Sequence, residues 1–216
     1  MNGLLDRRGV MMSNSKSTLP QEYQKVLWIQ ADTDSYIDTE FIPSSDNIIC
    51  EQVVLFPSQR DYNIGFYRHT SGNSNLTLAS GCNFTYMSQW QLRSSGGWLY
   101  SSATAQINTI YNIKIEATNS KQTMYIDGVS VRQTSGTINL QGMGSFYLFI
   151  THTGYVNTFS SDMKLYSAKI YDNGVLVRDY IPCYRKSDME PGLYDTVNNK
   201  FYYSGASSFI SGPNDI

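Results

Sequence analysis

From Tyr23 onward, short apolar runs alternate with clusters of Gly, Asn, Asp and Ser, and many of the runs repeat at every second position. Side chains at that spacing fall on one side of a pleated strand, so the pattern predicts many short antiparallel strands. In 111–117, Tyr111, Ile113, Ile115 and Ala117 alternate with Asn112, Lys114 and Glu116, which reads as a strand with one buried face. In 163–170 the phase changes: Met163 and Leu165 lead, then Tyr166, Ala168 and Ile170. One extra residue turns every following side chain over, so a bulge is expected near Leu165 and Tyr166. No amphipathic helix of three turns is predicted anywhere.

Two turns are written into the chain. In 123–132 a two-residue Asp127-Gly128 loop is expected to pair Ile126 with Val129 and Met124 with Val131. Those four apolar residues would then share one face, with Thr123, Tyr125, Ser130 and Arg132 on the other. Asp-Gly suits a type I′ turn, which needs positive φ at both central residues and matches the twist of the flanking strands. Asn173-Gly174 repeats the device within 169–178. The segments around the two hairpins differ, so they do not make a repeat protein.

At 216 residues, 41% hydrophobic and 16% charged, the chain has the make-up of one globular β-sandwich. A net charge of -2 with scattered Lys and Arg gives no phosphate-binding stripe, which sets nucleic acid aside. No stretch approaches transmembrane length, so membrane insertion is not expected. Cys50, Cys82 and Cys183 lack CxxC spacing and read as buried, reduced thiols, with one disulfide left open. The 17 tyrosines suit half-buried strands and recognition surfaces alike.

Several segments resemble the concanavalin A-like, laminin-G-type jelly-roll modules found in fibre proteins of phages of gut bacteria and in bacterial surface proteins. The matching residues are 35–43 (Ser-Tyr-Ile-Asp-Thr-Glu-Phe-Ile-Pro), 111–129 with its Tyr-Ile-Asp-Gly hairpin, and above all 164–183. The likeness continues through 192–195, 199–203 and 211–213, and is weakest over 61–102. It implies an all-β, antiparallel jelly-roll sandwich over residues 23–216, preceded by an extended arm over residues 1–22. In such modules glycans often bind on the concave face or at loop tips.

The chemistry of a sugar hydrolase is not legible. That reaction needs two carboxylates facing one glycosidic bond, and Glu22, Glu40, Glu51, Glu116 and Glu190 never fall in a Glu-x-Asp-x-x-Glu run. Asp179 and Asp195 read as strand and turn residues. His69 and His152 have no Cys or His at metal spacing, and no Gly-x-Ser-x-Gly elbow is present. Asp32, Asp34 and Asp38 lack the EF-hand spacing and are expected in a solvated turn. No metal or cofactor is therefore expected.

Two candidate binding elements remain. Trp90, Arg93 and Trp98 bring together indole faces and a guanidinium, the groups that hold the apolar face and the hydroxyls of a sugar. In the arm, Leu4, Leu5, Arg7, Arg8, Met11 and Met12 are more apolar than a solvated tail needs, which suggests an attachment segment that orders on docking. The sequence is thus read as a non-catalytic virion appendage or decoration protein, homo-oligomeric, with a carbohydrate-binding jelly roll. The apparent lack of an export signal favours the virion, with a bacterial cell-surface lectin-like module as the alternative and a glycoside hydrolase as a third reading.

Overall fold

A computed structural model of the chain describes residues 19–31, 34–58, 63–68, 79–83, 88–94, 97–136, 140, 144–152, 157–160 and 162–215. In chain order the strands begin with β1 (Tyr23–Lys25), β2 (Ile29–Gln30), β3 (Ile37–Asp38), β4 (Asn47–Leu55), β5 (Asn63–Arg68), β6 (Ala79–Asn83) and β7 (Gln89–Ser94). They continue with β8 (Gly97–Thr104), β9 (Ile110–Thr118), β10 (Lys121–Ile126), β11 (Val129–Ser135), β12 (Phe146–Leu148) and β13 (Ile150–His152). The last are β14 (Asn157–Ser160), β15 (Lys164–Asp172), β16 (Val175–Arg185), β17 (Glu190–Asp195), β18 (Lys200–Tyr202) and β19 (Ile210–Ser211). No helix occurs among the described residues.

The long sheet runs β11-β10-β9-β4-β15-β16-β17-β18, with β1 on β16 and β2 bridging β15 to β19. A second sheet runs β3-β12-β5-β6-β7-β8, and β13 pairs with β14. Alternation decides what lies between the sheets. Ile48, Cys50 and Val54 of β4 and Ile113, Ile115 and Ala117 of β9 are buried, as are Leu165, Ala168 and Ile170 of β15. From the second sheet, Trp90, Leu92, Phe146 and Leu148 meet them in one core. Burying a side chain of this kind contributes about 1.5–3 kcal/mol, so this two-faced core is the main source of stability.

Both hairpins form with the expected turns. Asp127 and Gly128 have φ of 49° and 82°, Asn173 and Gly174 of 50° and 78°. The register differs from the expectation by one residue. Ile126 pairs with Val129 and Tyr125 with Ser130, but Met124 pairs with Arg132, not with Val131. In the second hairpin Tyr171 pairs with Leu176 and Ile170 with Arg178, which skips Val177. Each turn is therefore followed by a bulge whose extra residue, Val131 or Val177, packs against the core. Val129, beside the turn, is 65% exposed. The bulge expected in β15 is present: Leu165 pairs with Val54 and Ser167 with Val53, leaving Tyr166 as the added residue.

The arm residues Leu4, Leu5, Arg7, Arg8, Met11 and Met12 lie outside the described residues. The end of the arm lies against the sandwich. Lys186 donates its amide to the Glu22 carbonyl at 2.9 Å and its Nζ to the Gln21 carbonyl at 2.7 Å. The two ends of the domain also meet. Val26 bridges Asn214, the Asp215 amide donates to the Lys25 carbonyl at 3.1 Å, and Lys25 Nζ lies 2.7 Å from Asp215 Oδ2.

Candidate functional site

At one side of the sandwich the edge of the long sheet, β18, comes beside the edge of the second sheet, β3. Between them is an open cleft of about 240 Å³, lined by Tyr36, Asp38, Glu40, Lys200 and the aromatic run that ends in Tyr203, with Gly205 beyond it. The strand period explains the first wall. Ile37, Thr39 and Phe41 are buried, so Tyr36, Asp38 and Glu40 turn outward together.

This wall is held from behind. The Thr39 amide and hydroxyl both donate to the Phe146 carbonyl at 2.8 Å. From the long sheet, Arg178 Nε donates to the Thr39 carbonyl at 3.3 Å and lies 3.5 Å from Oδ2 of the fully buried Asp195. Asp195 in turn accepts from the Asp179 amide at 3.1 Å, the Val197 amide at 3.0 Å and Asn198 Nδ2 at 2.6 Å. Asp195 thus fixes the turn with its carboxylate, whereas Asp179 joins through its backbone and its own carboxylate lies 3.8 Å from Lys169 Nζ. Glu40 has φ of 53°, a left-handed conformation uncommon for glutamate, and its amide donates to Asp38 Oδ1 at 2.8 Å. Its carboxylate pairs with Lys200 Nζ. That bond holds the lysine charged, raising its pKa, and Lys200 also sits 4.9 Å from the Tyr202 ring centroid.

The opposite wall is aromatic. Phe201 and Tyr203 stack with centroids 5.9 Å apart and planes 20° apart, and the Arg185 guanidinium lies 5.4 Å from each ring. Asp188 holds that guanidinium with both carboxylate oxygens, at 2.6 Å from Nη2. Tyr203 is 52% exposed. Across the cleft Tyr36 lies against Tyr147, with centroids 6.0 Å apart. Burial, with the Asp38 carboxylate adding to it, raises the Tyr147 phenol, which stays a donor.

Of the residues expected to bind a glycan, Trp90 is a core anchor. It is 1% exposed, packed against Phe56 and edge-on to Tyr111, and so offers no face to a ligand. Arg93 and Trp98 are paired backbone to backbone across β7 and β8, and their side chains lie outside the described residues. The residues that do form a cleft were within the segments that carried the family resemblance. The outward alternation of Tyr36, Asp38 and Glu40 was the available signal. What placed them opposite Lys200 and Tyr203 is a contact between sheet edges some 160 residues apart in sequence. Among the described residues no cluster of His, Cys, Asp and Glu could hold a metal. Cys50 and Cys183 are buried and form no disulfide among the described residues.

The fold defines the class: a jelly-roll β-sandwich of the concanavalin-like kind. No family model and no curated protein sequence matches the chain. Among solved structures it is similar to a candidate carbohydrate binding protein from Bacteroides ovatus, at 10% identity and a TM-score of 0.59. That match covers 87% of this chain and 60% of the other. It is also similar to the CBM40 of Ruminococcus gnavus IT-sialidase, solved with α2,3-sialyllactose, at 11% identity and a TM-score of 0.54. There the match covers 69% of this chain and 90% of the other.

Proposed function

We propose that this protein is a non-catalytic carbohydrate-binding module that takes its ligand in the cleft between β3 and β18. The observation that carries this reading is the exposed Tyr203, backed by Phe201 and Arg185, in one cleft with Asp38, Glu40 and the Lys200 that pairs with Glu40. A sugar needs both a ring to cover its apolar face and polar groups for its hydroxyls, and the cleft brings them within one small volume. The structural likeness to a carbohydrate-binding candidate and to a module bound to a sialylated sugar supports the same reading. Hydrolysis fits poorly. Asp38 and Glu40 are two residues apart on one wall, one tied to the other's amide and the other to Lys200, where hydrolysis needs carboxylates on either side of the bond.

The setting we infer is a virion appendage, on the strength of the resemblance in 35–43 and 164–183, with assembly as a homo-oligomer through the arm. A bacterial cell-surface module is the second reading, favoured by the bacterial origin of both similar structures. A glycan array with the wild type, Tyr203→Ala and Gly205→Phe tests the binding site. Gly205 lines the cleft and an added Cβ there meets nothing within 4 Å, so a side chain can be built at this position to occlude the cleft. Both variants should keep the wild-type melting temperature and lose glycan binding at least roughly tenfold, the value of one stacking platform. Unchanged binding by both folded variants would remove the cleft from the function.

A further inference from the structure

Resting on the proposed carbohydrate reading, we infer that the cleft selects neutral, hydroxyl-rich glycans and rejects those carrying a carboxylate. The argument is a charge inventory. Three cations border or brace the cleft, and each already has a carboxylate: Lys200 has Glu40, Arg185 has Asp188 and Arg178 has Asp195. Among the described residues no cation is paired with Asp38: its partners, the Glu40 amide and the Tyr147 phenol, are neutral, so it brings a net negative charge to the cleft lining. An anionic sugar would have to break one of the three pairs to find a cation, and would meet Asp38 while doing so. A neutral sugar meets no such obstacle. Its hydroxyls are donors, and the Asp38 carboxylate, which already accepts from the Glu40 amide and from the Tyr147 phenol, still has acceptor lone pairs for them. The Tyr203 ring receives the apolar face of a neutral pyranose as readily as that of an acidic one, so the discrimination comes from charge and not from stacking.

The inference therefore separates this chain from the similar module solved with a sialylated ligand, although the fold is shared. Its test uses pairs of immobilised oligosaccharides identical except for one terminal carboxylate-bearing sugar, read with the full chain at low and at physiological salt. The neutral member of a pair should bind at least roughly tenfold better, the effect of one unit charge a few ångströms away at a protein surface. The preference should shrink as salt screens it. Asp38→Asn keeps the oxygen that accepts from the Glu40 amide, so it should leave the fold intact while raising the affinity for the acidic member and narrowing the gap. Equal or tighter binding of the acidic member overturns the inference and leaves the carbohydrate reading standing. So does a gap that Asp38→Asn does not narrow. Binding to neither member of any pair overturns both.

Discussion

Trp90 and Tyr111 meet edge to face, with ring centroids 4.9 Å apart and planes 83° apart, and so tie the second sheet to the long one. Tyr111 also accepts the Gln106 amide at its hydroxyl, at 2.8 Å, which closes the loop before β9. Replacing Trp90 by Ala should therefore cost about 3–5 kcal/mol, as for other large buried aromatics. Chemical denaturation should show the whole domain destabilised, with glycan binding lost only in proportion to the unfolded fraction. A specific loss of binding in a fully folded Trp90→Ala protein would contradict the core assignment.

The turn glycines and the strand glycine should fail for different reasons. At Gly128 and Gly174 an added Cβ meets nothing within 4 Å, so the penalty is that of positive φ alone. Val at either position should cost about 1–3 kcal/mol. At Gly192 an added Cβ would lie 2.2 Å from the Tyr202 carbonyl oxygen, backbone against backbone. Gly192→Ala should push β17 and β18 apart, lowering the melting temperature and disturbing the aromatic wall of the cleft together. Retention of both wild-type stability and binding would count against the close approach.

Gln52 is 2% exposed, and neither its amide nitrogen nor its amide oxygen has a hydrogen-bond partner among the described residues. An unsatisfied buried polar group costs about 1–3 kcal/mol. Gln52→Met has a similar shape and no such cost, so it should stabilise the domain by up to about that amount. A lower midpoint in urea for Gln52→Met would show that the amide is satisfied in solution.

Stability should fall at both ends of the pH range. Burial pushes the Cys183 thiol up to about 12, and burial, with Tyr202 beside it, raises the Tyr180 phenol as well. Both pKa values are above those of the unfolded chain, so the unfolded state loses protons first as pH rises. The contribution is complete below roughly pH 8.5, the value of a free thiol, and is lost as pH climbs through the folded values. Cys183 should accordingly resist alkylation at pH 8 until the chain is denatured. At the acid end burial alone would raise Asp172, but hydrogen bonds from Ser45 and Ser44 outweigh it and lower the carboxyl. Its contribution is present above roughly pH 3.9 and is lost as pH falls through the lower folded value. Asp172→Asn should flatten the acid limb of a stability–pH curve and leave the alkaline limb unchanged.

The strands and turns were legible because their signals are local. The two-residue alternation of Tyr111 to Ala117, the Asp-Gly and Asn-Gly loops and the phase switch at Tyr166 each lie within ten residues of chain. The skipped Val131 and Val177 were not legible, because a two-residue turn followed by a bulge and one followed by a regular ladder share the same turn residues. Trp90 was not legible as an anchor, since residue type does not say which side of a strand faces the other sheet. Phe56, just beyond the end of β4, and Tyr111 of β9 decided it. The cleft was hidden for the same reason: Glu40 and Lys200 meet only once both sheets are assembled.

The pairing of Val26 with Asn214, and of Lys25 with Asp215, has a mechanical meaning. The segments that flank the first and last strands, at Val26 and Asn214, run antiparallel and leave the sandwich at the same corner. Tension applied between the two ends would pull on this corner as on a zipper, opening one rung at a time, and would enter the long sheet through β1, which is paired with β16. The domain would hang as a pendant at a single anchorage, with Tyr23 of the loaded strand set against Phe201 of the cleft wall, ring centroids 5.0 Å apart.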